Sequence, residues 1–180
     1  ARAMVYLKWA FWIVVWVLIA AFFHYTLPQH DIARITDTYE KRIDFGENSI
    51  FWASPDVGND TGAVNRDVFF IQTFLTDDDP MIYRNEDTGW GFPFYFKFDS
   101  GDVTTRVQNI LASDPQAHVA VTYYGWRVEI FDLYPNAVSL YRVDAGYTPI
   151  PYTTILVLLL LAALAIFLFL RIRRWRASRY

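Results

Sequence analysis

Cysteine is absent, histidine occurs three times and methionine twice in 180 residues. Without cysteine there is no disulfide and no thiolate site, so a folded domain here must rest on its core alone. With histidine only at positions 24, 30 and 118 there is no H-x-x-x-H pair, and C-x-x-C and G-x-S-x-G do not occur. His24 has the chemistry to ligate a haem iron or a chlorophyll magnesium, but no second ligand pattern accompanies it. Asp77, Asp78 and Asp79 form one acidic turn, and Asp56 and Asp60 sit in a second. The second lacks calcium-loop spacing, because Gly58 falls third in D-V-G-N-D-T-G and Thr61 stands where the loop needs glycine. Both read as solvated turns, so no metal and no cofactor is expected. No internal repeat and no low-complexity segment occurs.

Acidic residues are missing from both ends of the chain. All 19 Asp and Glu lie between Asp31 and Asp144, with only nine of the 16 Lys and Arg, so residues 28–150 carry a net charge of −10. Residues 1–8 hold Arg2 and Lys8; residues 171–180 hold Arg171, Arg173, Arg174, Arg176 and Arg179. Segregation of this kind points to a membrane. Trp9–Phe23 runs fifteen residues without a charge and Ile155–Leu170 runs sixteen. With its flanks each reaches about 20 residues, about 30 Å of helix, the thickness of a bilayer's hydrocarbon layer. Residues 1–27 therefore read as a transmembrane signal anchor, uncleaved because no clear A-x-A site follows. Residues 28–150 form an extracytoplasmic domain, 151–170 a second span and 171–180 a basic tail. Basic ends place both termini in the cytoplasm and the middle outside it, which in a Gram-negative bacterium is the periplasm. In the tail, Arg171, Arg173, Arg174 and Arg176 suit anionic lipid headgroups, at about 1 kcal/mol each. Tyr6, Trp9 and Trp175 at one rim, and Tyr25, Tyr147 and Tyr152 at the other, fit interfacial aromatic belts.

Within residues 28–150, strand patterns surround one helix pattern, which defines an α+β class. Ile35–Phe45 alternates, with Ile35, Tyr39, Ile43 and Phe45 on one face. Asp67–Leu75 and Met81–Arg84 form a hairpin across TDDDP. His118–Tyr124, Arg127–Leu133 and Ala137–Val143 read as three further strands, with Tyr134–Asn136 as a turn. Ser100 is the expected N-cap of an amphipathic helix over 101–112, apolar at Val103, Val107, Ile110 and Leu111. Ser54–Gly62 reads as loop.

The stretch RNEDTGWGFPFYFKFDS, Arg84–Ser100, places Trp90, Phe92, Phe94, Phe96 and Phe98 two residues apart. Side chains alternate along extended chain, so the run is expected to be an edge strand with five rings in the core and Gly91, Pro93, Tyr95, Lys97 and Asp99 outward. An exposed stacking platform for sugars or bases is the sharper alternative, and it needs those rings exposed. Arg84, Asn85, Glu86 and Asp87 form the candidate polar site. Glu86 and Asp87 are adjacent and point apart, a poor arrangement for a working carboxylate pair, so Arg84 and Asp87 are expected to pair with each other or to cap backbone groups. Glu86→Gln is expected to be tolerated.

In the first span, Trp9, Trp12, Trp16 and Phe23 fall within an arc of about 60° at 100° per residue, a stripe suited to a partner helix, a pigment or lipid. Several further stretches are distinctive: NSIFW (48–52), YRNEDTGWGFPFYFKFDS (83–100), YYGWR (123–127) and YPNAVSLYRV (134–143). They resemble an uncharacterised alphaproteobacterial inner-membrane family, filed as a domain of unknown function, with two spans and a periplasmic domain. The resemblance covers most of the chain and implies the inner membrane of a Gram-negative bacterium, but no activity. Two functions stand as expectations. One is a non-enzymatic accessory or assembly subunit of a larger membrane complex, energy-transducing ones included, contacting partners through the aromatic span and the periplasmic domain. The other is a periplasmic domain that binds or processes an envelope ligand at Arg84–Asp87. The ten residues after Leu170 make a sensor with a cytoplasmic output domain less fitting. Membrane lipids and a membrane-protein partner are the expected contacts; nucleic acid is not, since the domain lacks a basic patch.

Overall fold

The computed structural model describes residues 2–44 and 65–177. The chain divides into two compact units, Ala1–Pro149 and Ile150–Tyr180. The first opens with helix α1 (Arg2–Thr26), followed by β1 (Gln29–Asp44), β2 (Asn65–Leu75), β3 (Pro80–Asn85), helix α2 (Ser100–Ser113), β4 (His118–Tyr124) and β5 (Asn136–Val143). The second is helix α3 (Tyr152–Ala177), none of whose residues is buried. It continues through Arg171, Arg173 and Arg174, past the end expected for the span. Both α1 and α3 are long and apolar enough to cross a membrane, and neither buries any of its apolar window against protein.

The five strands close into a barrel in the order β1-β2-β3-β5-β4. All neighbours are antiparallel except β3 and β5, which run parallel. With α2 inserted between β3 and β4, this is the topology of an OB-type barrel. β1 is long because it serves two partners: Ala33 lies opposite both Leu75 of β2 and Val119 of β4. Ala33, Ile35, Ile71, Tyr83, Val119, Val121 and Leu140 fill the interior, and α2 plugs it with Val103, Val107 and Ile110. Those are the helix positions that the 3.6-residue period singles out.

Three expected elements differ. Ile35 and Tyr39 do not share a face, because a register shift between Ile35 and Asp37 inverts the alternation. Ile35 enters the barrel, whereas Tyr39 stacks on Phe70 at 5.0 Å in a separate outer cluster with Val68 and Tyr134. Phe45 and Ser54–Gly62, with Asp56 and Asp60, lie outside the described residues. Arg127–Leu133 is not a strand. It holds a short 3-10 turn, Glu129–Phe131, inside a single bridge between Val128 and Leu133. It is held locally instead: the Arg127 guanidinium lies 4.2 Å above the Tyr134 ring, and Tyr134 donates to Asp132 at 2.6 Å. The run Trp90–Phe98 is not a strand either, and is described below.

The seam between β3 and β5 is one register pair long, Arg84 opposite Asn136. The Arg84 amide donates to the Pro135 carbonyl at 2.9 Å. Beyond it the side chain of Asn136, wholly buried, takes over from the backbone. Its Oδ1 accepts from the Glu86 amide at 2.9 Å, and its Nδ2 donates to the Glu86 carbonyl at 3.0 Å and to the Tyr124 hydroxyl at 3.1 Å. Asn136→Ala strips a buried N–H and a buried C=O of these bonds, and we expect a loss of about 2–4 kcal/mol of stability. Denaturant unfolding in mild detergent measures it, and a loss below about 1 kcal/mol, the worth of one ordinary hydrogen bond, would show that the seam does not depend on this amide.

Candidate functional site

The chain leaves β3 at Asn85 and does not reach α2 until Ser100. Between them the ring run keeps the expected alternation with the opposite sense. Trp90, Phe92, Phe94, Phe96 and Phe98 point outward and are 79, 54, 66, 53 and 54% exposed, while Pro93 and Lys97 point in and are buried. Alternation fixes which residues share a face, but not which face meets the core. The expected core strand is therefore an outward ring ladder on an irregular loop, and Pro93 marks no strand edge. Successive centroids lie 5.7 Å apart from Phe92 to Phe94, 6.3 Å to Phe96, 5.6 Å on to Trp90 and 5.6 Å to Phe98.

The loop is held rigidly. A turn from Thr88 to Gly91 closes at 2.9 Å, and Gly89, at φ 53°, donates to the Lys97 carbonyl at 3.0 Å. The Lys97 amide donates to Thr88 Oγ1 at 3.1 Å. Phe96 itself has φ 50°, a left-handed backbone that costs a bulky L-residue roughly 1–2 kcal/mol. That conformation persists because the bonds on either side impose it.

Beneath the rings lies a sealed polar cluster. Arg84, Asn85, Glu86, Thr88, Lys97 and Asn136 are all buried. Arg84 pairs with Glu86 at 3.1 Å, and the Tyr124 and Tyr25 phenols lie close enough to act on its guanidinium. Lys97 Nζ donates to Asn85 Oδ1 and to the Ala137 carbonyl, the latter at 2.6 Å. The Asn85 amide donates in turn to the Ser100 carbonyl and Thr104 Oγ1. Asp87 accepts from the Ser100 amide at 2.8 Å and the Ser100 hydroxyl at 2.9 Å, so it is Asp87 that caps α2, where Ser100 was expected to act. The four residues of the candidate polar site thus come together, with Arg84 paired to Glu86 where pairing with Asp87 was one expectation. Their contacts are structural: they close the barrel, start α2 and anchor the loop. Glu86→Gln, expected from sequence to be harmless, would remove the counter-charge of an arginine whose side chain is 3% exposed.

The cluster also docks α1. Gly125, at φ 96°, donates to the Tyr25 carbonyl at 2.9 Å, and a Cβ there would stand 3.6 Å from the Tyr25 ring. Trp126 Nε1 donates to His24 Nδ1 at 2.9 Å. Tyr95 stacks on Tyr124 at 4.9 Å and donates to the Thr26 carbonyl at 2.6 Å. Phe92, at the near end of the ladder, stacks on Phe22 of α1 at 5.6 Å. Of the expected stripe, Trp9, Trp12 and Trp16 are exposed on α1, and Phe23 is half-buried. The Lys97, Thr88 and Asn136 roles were not foreseen; a lysine alone among rings was the one available signal. Two shallow grooves, of about 360 and 460 Å³, flank the β2–β3 turn, lined by Arg34 and His118 and by His30, Asp31 and Asp77. Neither reaches Arg84–Asp87. Among the described residues no three His, Asp or Glu side chains gather as a metal site would need.

These features define a class: a small five-stranded barrel between two apolar helices, with a rigid aromatic loop beside the end of the first. The chain belongs to the DUF1523 family, described as a protein of unknown function, whose model matches residues 4–176. It is 40% identical over 126 residues to an uncharacterized protein of Haemophilus influenzae, covering 70% of this chain and 68% of that one. No solved structure matches it.

The cluster carries a pH signature. Burial pulls the Lys97 ammonium from its ordinary 10.5 down to about 8, although the Asp87 and Asp99 carboxylates hold it up in part. Between those two values the unfolded chain binds the proton and the folded chain does not, so stability rises with pH. Burial and, for Tyr83 and Tyr123, the Asp31 carboxylate hold the hydroxyls of Tyr83, Tyr95 and Tyr123 above their ordinary 10.0. Their contribution is complete below that value and is lost above it. Thermal midpoints in detergent should therefore climb from pH 8 towards 10 and fall beyond, whereas Lys97→Met should abolish the climb and keep the fall. A wild-type profile flat from pH 7 to 10 would remove Lys97 from the buried cluster.

Proposed function

We propose that this chain is a non-enzymatic accessory or assembly subunit of a larger membrane complex. The single observation behind this reading is where polarity sits. Arg84, Asn85 and Glu86 are at most 5% exposed and are engaged with one another and the backbone, while the side chains offered to the surroundings near α1 are aromatic. A ligand-processing site at Arg84–Asp87 would need those groups to be reachable. Barrels of this topology bind oligonucleotides and oligosaccharides in other proteins, but fold does not fix function, and a net charge of −10 over residues 28–150 opposes a polyanion.

In this reading α1 and α3 cross the inner membrane of a Gram-negative bacterium, an alphaproteobacterium by the resemblance of its motifs. Both termini are cytoplasmic and the barrel is periplasmic, in keeping with the basic ends. Trp9, Trp12, Trp16 and Phe23 face a partner helix, and Arg171, Arg173, Arg174 and Arg176 meet anionic headgroups. An energy-transducing complex suits so aromatic a span.

Two experiments test this. A reporter active only outside the cytoplasm should give signal when fused after Asp114 and none after Tyr180; signal only at Tyr180 would reverse the topology. Gentle detergent extraction should yield a discrete particle far larger than the 21.1 kDa chain. Trp12→Leu combined with Trp16→Leu should leave insertion intact, because leucine is as apolar, yet break up that particle. A lone 21.1 kDa species in the wild type would remove the subunit reading.

A further inference from the structure

The outward ladder has no role in the barrel. Trp90, Phe92, Phe94, Phe96 and Phe98 together expose roughly 600 Å² of ring, at the upper limit of the apolar patches that monomeric proteins leave bare. Three observations say what covers it. The ladder is continuous with α1, because Phe92 lies face to face with Phe22, itself 52% exposed, on the last turns of that helix. The base of the loop is pinned at the same level, where Tyr95 bonds the Thr26 carbonyl at the helix end. Its outward face also carries no charge. Lys97 is the only ionisable side chain between Thr88 and Phe98 apart from the Tyr95 phenol; it is turned inward and 4% exposed. A sugar platform needs polar groups at its rim. A bilayer needs their absence, with Trp and Phe at the depth where a spanning helix leaves the hydrocarbon.

We propose that residues 90–98 are a membrane-inserting loop. Its rings enter the leaflet at the C-terminal end of α1, giving the barrel a second hold on the bilayer and fixing its orientation over the surface. This rests on the reading of α1 as a span. Because Phe96 and Lys97 are locked from beneath, the rings are presented without first having to order, so little conformational entropy opposes their insertion.

The chain has no cysteine, so a single introduced one takes a fluorescent label alone. Full-length Phe94→Cys, Leu18→Cys and Ile130→Cys proteins are labelled with an environment-sensitive fluorophore. They are reconstituted in phosphatidylcholine–phosphatidylglycerol vesicles and quenched either by lipid-borne nitroxide or by aqueous iodide. All three positions are well exposed in the protein, at 66, 63 and 90%. Labels at 94 and 18 should be quenched by the nitroxide and spared by iodide, with the reverse at 130. If the label at 18 ignores the nitroxide, the span fails and the inference with it. If 18 is quenched by lipid but 94 by iodide, the span stands and the loop is in water. If 94 is shielded from both, protein covers the ladder. Either of the last two results overturns the inserting loop alone.

Discussion

One carboxamide closes the barrel. β3 and β5 meet in parallel over a single register pair, and a parallel seam that short supplies too few backbone bonds to hold two strands. Asn136 extends it by presenting its amide as a stretch of strand to Glu86, donating and accepting at 3.0 and 2.9 Å. Much else follows from that point. The chain turns out of the sheet at Glu86, which aims its carboxylate back at Arg84. Asp87 then reaches the start of α2, Thr88 begins the turn that carries the rings, and Lys97 comes back beneath Asn85. Tyr124, bonded by the same Asn136 amide, supports both Tyr95 and Tyr25. Barrel closure, helix start, loop conformation and docking of α1 are therefore one hydrogen-bonded unit.

Such a unit is an expensive way to gain stability. Desolvating an arginine, a glutamate and a lysine costs several kcal/mol per ion before pairing returns any of it, and well-packed apolar residues of similar size would do as well or better. What charged and amide groups supply instead is direction. An apolar cluster tolerates small slips, whereas Asn85, Lys97 and Asn136 are satisfied in one arrangement only. Held in that arrangement, Phe96 keeps a left-handed backbone that it would otherwise leave. The cluster spends stability to set the geometry of a surface.

How much of this was legible in the sequence depends on the range of the interaction. α2 was legible because its signal is local: apolar positions at helical spacing within fourteen residues. The span of β4 was legible for the same reason, and so was the hairpin across Asp77–Asp79. The barrel order was not, since pairing β3 with β5 joins Arg84 to Asn136 around an intervening helix and strand. In the ring run the parity was legible but not its sense, because alternation is unchanged when the two faces are exchanged. Resolving it required knowing that Lys97 has Asn85 and the Ala137 carbonyl waiting inside, and the second, 40 residues on, lies beyond any local window. Thr36 shows the converse failure: one extra residue on β1 breaks a parity that looked continuous from Ile35 to Tyr39.

The charge segregation along the chain recurs within the barrel unit. The acidic turn Asp77–Asp79 precedes β3, and the ring loop leaves its far end; six strand residues lie between them, about 20 Å. At the loop, outward charge is absent until Asp99, where the rings stop and α2 begins. A domain that tumbles freely has no use for one charged end and one aromatic end, and its exposed rings would favour self-association. A domain tethered beside an apolar surface has a use for both. With residues 90–98 inserted as proposed, the acidic end would stay hydrated and the ring end would meet the surface, while Tyr95 and Gly125 clamp α1 so that the two directions stay fixed relative to the tether. On this account the buried cluster and the exposed ladder form one device. Groups that water would welcome are turned inward so that groups it would reject can be held outward.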